Sequence, residues 1–266
     1  MQEIIVEDFK SSKETIPKIL ERLELKGKIK NQEKILIKPN LTTNQPFPCT
    51  TSVDFVEEVI KYCLENSKAE IIIAEGSGGC DTEKAFKDLG YYELAKKYKI
   101  KLTDLNKTER IKLENEKALV LKTIFLPRIV FESFIINLPV LKIHSEAKLT
   151  AAMKNLFGFY LNTEFLVKEG DYWVLKKDIP AGYWNKSELH YFGVHKAIID
   201  LNKYINVGFH LVDGSIGQLK SEVYGIPADP PIGKIIAGYD AKLVDVECAK
   251  LLKLNPENIF YLKHHN

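Results

Sequence analysis

The sequence predicts an α/β fold: a mostly parallel sheet with helices on both faces, βαβ units and a small hairpin insertion, in a single domain over residues 1–266. Three observations point there. Short runs rich in Ile, Val or Leu alternate with segments of helical periodicity through the first hundred residues, the signature of βαβ units. Each run is bounded by turn or polar residues, as strands are. A chain of 266 residues that is 45% hydrophobic can bury a sizeable core, and no linker marks a domain boundary.

In chain order, EIIVEDF (3–9) reads as a strand and SKETIPKILERLEL as a helix. KILIKP (34–39) is the next strand. Thr51-Ser52-Val53-Asp54 then resembles a helix cap opening SVDFVEEVIKYCLE. AEIIIAEG (69–76) and KIKLTDL (99–105) are strands on either side of one helical stretch, TEKAFKDLGYYELAKKY. Residues 106–133 break the alternation and suit a β-hairpin insertion followed by a short helix, after which FIINLPVL (134–141) returns to a buried strand. Leu149, Met153, Leu156, Phe157 and Tyr160 recur at helical spacing. The loop-rich stretch 161–189 holds Trp173 and Trp184, and residues 161–190 form a candidate lid or subdomain. HYFGVHKAIIDLNKYI is amphipathic, NVGFHLVDG is a strand ending in a polar turn, and GKIIAGYDAKLVDVECAKLLKL is a strand leading into the last helix.

Composition narrows the function classes. The net charge of +2 comes from 38 basic and 36 acidic side chains with no long block of either sign, so nothing calls for nucleic acid. The most apolar run is interrupted by Glu132, Asn137 and Pro139 and is too short to cross a membrane. The N-terminus carries early acids where a secretory signal has basic residues. Cys49, Cys63, Cys80 and Cys248 stand singly, so no iron–sulfur cluster or structural zinc is expected, and Cys63 and Cys248 read as buried free thiols of a cytoplasmic protein.

Ligands of an open parallel sheet gather outside the carboxyl ends of its strands. Those ends bring Lys38-Pro39-Asn40, Glu75-Gly76-Ser77-Gly78-Gly79, His144 and Asp213-Gly214 together. The loop NLTTNQPFPCTTS runs into a helix start with hydroxyls at Thr50, Thr51 and Ser52. Free N–H groups there suit a phosphate or carboxylate with Lys38 as countercharge, and equally suit a plain cap by Thr51 or Ser52. EGSGG, with Ser77 and Gly78, is either a phosphate-cradling loop or a sharp turn, since it has neither G-x-G-x-x-G nor G-K-[ST]. Asp213-Gly214 is a turn by default; Asp213 is otherwise a carboxylate that orients a hydroxyl, accepts a proton or binds a cation. Asp240 and Asp245 read as helix-start and helix-surface residues.

KIHSEAKLTAAMKNLFG (142–158) carries the sharpest signal. Lys154 falls with Ala147, Thr150, Ala151 and Gly158 on a face of small side chains, so this is either a tightly packed helix or one wall of a site. His144 follows a buried strand and can ligate a metal, move a proton or simply hold a turn. His210 alternates inside a strand and reads as structural. His190 and His195 read as capping or surface residues within reach of a cleft, and His264 and His265 belong to the tail.

ILIKPNL, IIIAEGSGG, LPRIVFESFIINLPVLKIHSEAKLTAAMKNLFG, LVDG and IIAGYDAKLVDVECAKLLKL together resemble the family named domain of unknown function 362, over roughly residues 34–255. The 126–158 block is the most specific part. A more distant resemblance is to nickel-pincer lactate racemases, in which a K-P-H motif is followed by G-G-A-K-A; here Lys142-Ile143-His144 precedes Ala151-Ala152-Met153-Lys154 at the same ten-residue His-to-Lys spacing. The resemblance implies His144 as acid/base and Lys154 as the anchor of a nickel-pincer-like or other phosphate-bearing cofactor. Gly78 stands where the racemases have their second acid/base histidine, so two-base racemisation does not carry over.

The expectation is thus an isomerase or oxidoreductase-like enzyme with a small anionic substrate or organophosphate-like cofactor. Lys38, Asn40, Thr50 and Thr51 would hold the anion, Lys154 would be the reactive or charge-pairing amine, and Asn155 and Asp213 would orient groups. The alternative is a non-catalytic carrier of a cofactor or metal, or an accessory to redox proteins.

Overall fold

The structure is a computed structural model that describes residues 3–179 and 186–265. Strand β1 (Ile5–Asp8) and helices α1 (Ser12–Arg22) and α2 (Leu25–Ile29) precede a unit of β2 (Lys34–Pro39), α3 (Val53–Asn66), β3 (Glu70–Glu75), α4 (Thr82–Asp88), α5 (Tyr91–Tyr98) and β4 (Lys101–Asp104). The hairpin β5 (Arg110–Glu114) and β6 (Thr123–Pro127) leads into β7 (Phe134–Leu138), β8 (Val140–His144) and β9 (Lys148–Thr150). A 3-10 segment, Lys154–Phe159, precedes a second hairpin of β10 (Leu166–Glu169) and β11 (Tyr172–Leu175). Then follow α6 (Glu188–Tyr191), α7 (Val194–Tyr204), β12 (Phe209–Leu219), β13 (Ile226–Pro227), β14 (Lys234–Gly238), α8 (Ala241–Leu251) and α9 (Phe260–His264).

The main sheet runs β1-β14-β12-β7-β2-β3-β4. It is parallel from β12 to β4, while β14 and β1 pair antiparallel at one edge. Successive strand residues feed opposite cores. Ile35, Ile37, Ile71, Ile73, Ile136 and Leu138 pack with Phe55 and Val59 of α3 and Ile16 of α1. Leu36, Ile72, Ala74, Ile135, Val212 and Ile236 pack with Ile198 of α7 and Val244 of α8. Both faces are covered, which is why these strands read as unbroken apolar runs. No described helix is long and apolar enough to cross a membrane.

Several elements differ from the sequence expectation. The helix predicted over 82–98 is two helices, because Gly90 takes the left-handed conformation at φ 82° between them. The strand predicted over 134–141 stops at Pro139, which has no N–H for the ladder, and β8 pairs instead with β12. The helix predicted from Leu149 is absent. That segment is β9, a tight turn and the 3-10 segment. Asp245 of α8 takes the N–H groups of Ala152 and Met153 at 2.6 and 3.2 Å, holding the turn against α8. The apolar residues spaced like a helix remain buried in one core without forming one. Asp245 is therefore fully buried, not on a helix surface, whereas Asp240 caps α8 through Leu243 N–H. Asp213-Gly214 is not a turn. It lies within β12, paired with Ile235 and Lys234, and the close approach of the Lys234 carbonyl leaves no room for a Cβ at Gly214.

The two hairpins form a separate four-stranded sheet in the order β10-β11-β5-β6, with the Trp173 ring 4.7 Å from that of Phe125 and tilted 60° to it. Residues 180–185 of the predicted lid, Trp184 among them, lie outside the described residues. The loop joining β5 to β6 is pinned to α7 by one buried carboxylate: Asp200 accepts the N–H groups of Leu119, Val120 and Leu121 at 2.9, 2.8 and 2.9 Å. Asp200→Ala leaves all three amides without that acceptor, so it should lower stability by about 2–4 kcal/mol. Asp200→Asn, which keeps one oxygen, should cost less. Urea denaturation of the three proteins orders them; equal midpoints would show that the loop does not depend on this carboxylate.

Candidate functional site

The carboxyl ends of β2, β3 and β8 surround a cavity of about 290 Å³ whose lining includes Lys38, Asn40, Glu75, Gly78, Lys142, His144, Thr150, Lys154, Asn155, Lys186, His190 and Glu222. Four lysines meet two carboxylates there. How each amine is held decides what it can do.

Lys38 and Glu75, on neighbouring strands, form a buried ion pair at 2.8 Å, 0% and 2% exposed. Glu75 also accepts the N–H groups of Gly76 and Leu41, both at 2.8 Å, and Lys38 donates to the Pro39 carbonyl at 3.1 Å. Burial pushes the Lys38 amine down while Glu75 pulls it back up. Gly158 packs directly on the pair: a Cβ there would lie 2.6 Å from Lys38 Nζ. Lys186 donates to the carbonyls of Gly76 and Gly158 at 2.6 and 2.9 Å, and burial lowers its pKa well below the usual lysine value. Lys142 donates to the carbonyls of Cys49 and Glu222 at 2.6 and 3.2 Å and is pushed down to about 8 by burial.

Lys154 differs from the other three. It is half-buried at the start of the 3-10 segment, its Nζ sits 3.5 Å over the Phe157 ring centroid, and it has no hydrogen-bond partner among the described residues. Burial lowers its pKa to about 7, opposed by the charge of Glu222 and assisted by that of Lys142.

His144 is buried at the end of β8 and stacks on His190, with centroids 5.5 Å apart. Its Nδ1 accepts the N–H groups of Glu146 and Ala147, both at 3.1 Å. A nitrogen that accepts two amides carries no proton, so the ring is neutral with its proton on Nε2. Burial, then the Lys154 charge, lowers the His144 pKa in the same sense. Glu222 accepts from Ser145 N–H at 3.1 Å and lies 3.8 Å from His144 Nδ1.

Asparagine amides form a buried chain away from this wall. Asn137 Nδ2 donates to Ala152 O and meets His210 Nδ1 at 3.1 Å, Asn155 Nδ2 donates to Asn137 Oδ1 at 2.7 Å, and Asn40 Nδ2 donates to Asn155 Oδ1 at 2.9 Å. Every amide is thereby oriented, and His210 is held as the structural histidine its strand position implies. The chain ends on Asn40 Oδ1, which has no partner among the described residues; Thr150 Oγ1 is likewise unpartnered.

The cavity thus gathers His144, Lys154, Lys38, Asn40, Gly78 and Asn155 from the sequence-level candidates, and adds His190. Thr50, Thr51, Ser77 and Asp213 are not in its lining. Thr51 donates to Leu138 O at 2.8 Å and accepts Asn40 N–H, Thr50 donates to Gln45 O, and Ser77 donates to Leu41 O at 2.6 Å. Asp213 accepts from the N–H and hydroxyl of Ser215. The helix start after this loop is capped by Ser52, which accepts from Phe55 N–H at 3.3 Å. The glycine-rich loop also spends amides internally: Ser77 N–H on Thr82 Oγ1 and Gly79 N–H on Thr42 O. Lys142 stood in the sequence only as the neighbour of His144 in Lys142-Ile143-His144, and Lys186 and Glu222 carried no sequence motif of their own.

The family model described as a domain of unknown function (DUF362) matches residues 35–250, most of the chain. The chain belongs to the DUF362 family. Among solved structures, this DUF362 protein is similar to the lactate racemase apoprotein from Thermoanaerobacterium thermosaccharolyticum, with 14% identity and a TM-score of 0.54 over 93% of this chain and 56% of that one. A structural-genomics protein from Thermotoga maritima matches with 12% identity and a TM-score of 0.47, over 94% of this chain and 61% of that one. The DUF362 chain spans little more than half of each neighbour's length, and the likeness to the racemase is one of fold. No curated protein matches the sequence.

The Lys38–Glu75 pair gives a direct test of how the DUF362 site is held together. Glu75→Gln leaves a buried ammonium without its counterion and should cost about 3–5 kcal/mol. The double change Lys38→Met with Glu75→Leu should cost much less, because it removes both charges. Denaturant melts of the single and double variants measure the difference; a double variant as unstable as Glu75→Gln would mean the two charges are not coupled.

Proposed function

We propose that the cavity binds a small molecule carrying a carboxylate or phosphate, and that the protein is an enzyme acting on that anion. The observation that carries the reading is the imbalance of charge: four lysines face two carboxylates, one of which is already committed to Lys38. Buried positive charge without a counterion is unfavourable, and lowered amine pKa values are its usual expression. A bound anion relieves it. Asn40 Oδ1 and Thr150 Oγ1, both unpartnered in the cavity wall, offer further hydrogen bonds to a hydroxylated ligand.

Within this reading Lys142 and protonated Lys154 hold the anion, and His144 acts as a hydrogen-bond donor through Nε2–H. Its Nδ1 bonds oppose the imidazolium form that proton abstraction would leave, so donation suits it better than the base half of an acid/base role. Lys154 also suits a covalent cofactor anchor, since its amine is otherwise uncommitted. Among the described residues no group of three His, Cys, Asp or Glu side chains is gathered to hold a metal ion, so a metal here would need ligands from a cofactor or substrate.

Anion affinity should follow the amines. Lys154 and Lys142 are charged below about 7 and about 8, so affinity is greatest on the acid side and falls as pH rises through that window. Calorimetric titration with oxalate and with inorganic phosphate across the window measures it, and Lys154→Met should remove the lower step. Binding of neither probe, or binding indifferent to pH, would reject the reading in favour of a site elsewhere.

A further inference from the structure

We propose that Lys154 forms an imine with a small carbonyl compound bearing a carboxylate or phosphate group. The proposal rests on the anion-binding reading above and names the chemistry of the molecule bound.

An amine that attacks a carbonyl needs a free lone pair, space in front of it and a charged neighbourhood that favours its neutral form. The cavity's other three lysines are each held through N–H bonds that an imine nitrogen, which carries no N–H, would have to give up. Lys38 is committed to Glu75 and Pro39 O, Lys142 to Cys49 O and Glu222 O, and Lys186 to Gly76 O and Gly158 O. Lys154 makes no such bond among the described residues, and the cavity lies in front of it. Burial beside a second amine, Lys142, disfavours the charged form: burial first and the Lys142 charge after it bring the Lys154 pKa to about 7, so a substantial share of Lys154 is neutral near neutral pH.

The surroundings supply the other parts. Lys142 has three N–H donors and two are committed, so the third can give a proton into the cavity. His144 presents Nε2–H as a neutral donor for the carbonyl oxygen. In the reaction the Nζ lone pair forms the C–N bond as the carbonyl π pair moves to oxygen. That oxygen takes the proton that nitrogen loses, giving a carbinolamine. It then takes a second proton from Lys142 and leaves as water while C=N forms. The iminium proton returns to Lys142, so amine plus carbonyl gives imine plus water with nothing else consumed. The imine nitrogen lies beside buried cations that favour an anionic group on the same molecule.

Reductive trapping tests this. The wild-type protein is incubated near neutral pH with sodium cyanoborohydride and either pyruvate or glycolaldehyde phosphate, and adducts are mapped by peptide mass spectrometry. Labelling should concentrate on Lys154 at a rate at least about tenfold above that of any other lysine, and Lys142→Met should slow it by about tenfold or more. Labelling by pyruvate alone assigns a carboxylate tail, and by glycolaldehyde phosphate alone a phosphate. Added oxalate should protect Lys154. If oxalate or phosphate binds but Lys154 labels no faster than surface lysines, the imine proposal is overturned while the anion reading stands. If neither anion binds, a labelled Lys154 that oxalate does not protect removes the anionic tail from the proposal, and an unlabelled one overturns both.

Discussion

Burying positive charge is the constraint on which the rest of the structure turns. Arg110, Lys38, Lys142 and Lys186 are 0%, 0%, 1% and 8% exposed, and each must recover what it loses on leaving water. Lys38 recovers it from Glu75, and the others from backbone carbonyls, most of them in the irregular segments beside the strands. Arg110 donates to Leu105, Phe125 and Phe159, Lys186 to Gly76 and Gly158, and Lys142 to Cys49 and Glu222. The irregular backbone around the strand ends supplies carbonyls that a regular ladder would have used. The carbonyls of Gly76 and Gly158 reach the same ammonium, and neither residue has room for a Cβ: on Gly76 it would meet the Gly158 carbonyl and Lys186 Nζ, and on Gly158 the Lys38–Glu75 pair. Only that pair answers charge with charge. Arg110, Lys142 and Lys186 are held by backbone dipoles instead.

The opposite wall is organised by neutral hydrogen bonds. From His210 through Asn137 and Asn155 to Asn40, each amide is oriented by the one before it, so the orientation at Asn40 is fixed from two strands away. The turn that carries Lys154 belongs to the same network: Asn137 donates to Ala152 O, while Asp245 takes the N–H groups of Ala152 and Met153. Burial pushes the Asp245 carboxyl up to about 7, against the pull of those amides and of the Tyr261 hydroxyl. Lys154 is thus placed by α8 and β7 together, although neither element contributes a side chain to the cavity lining.

The fold was legible because its strands are covered on both faces. Ile35 to Ile37, Ile71 to Ile73 and Ile135 to Ile136 announce themselves by apolar runs that need no alternation. The candidate site was legible where it follows from strand order, at Lys38, Asn40, His144 and Lys154. It was not legible where a hydroxyl or carboxylate has two equivalent uses. Thr51 and Ser77 satisfy backbone carbonyls, and Asp213 serves its own strand, all with the groups an anion site would employ. The helical spacing from Leu149 to Tyr160 misled for a related reason: a strand and a 3-10 turn wrapped against α7 and α8 can bury the same residues at the same intervals. Lys186 and Glu222 meet the cavity from segments far along the chain, and no local pattern marks them.

The spacing of His144 and Lys154 acquires a physical meaning in this setting. β8 delivers His144, a turn held by its Nδ1 reverses the chain into β9, and β9 leads through the Asp245-held turn to Lys154. The histidine therefore builds the turn that returns the chain toward the lysine, and in doing so fixes its own tautomer. A base at this position would have to give up those amide bonds as it took a proton, whereas a donor keeps them throughout. Beside this imidazole donor the cavity presents Lys154, an amine with no hydrogen-bond partner among the described residues. Under the proposed function, that pairing suits chemistry at the amine, with the histidine as donor.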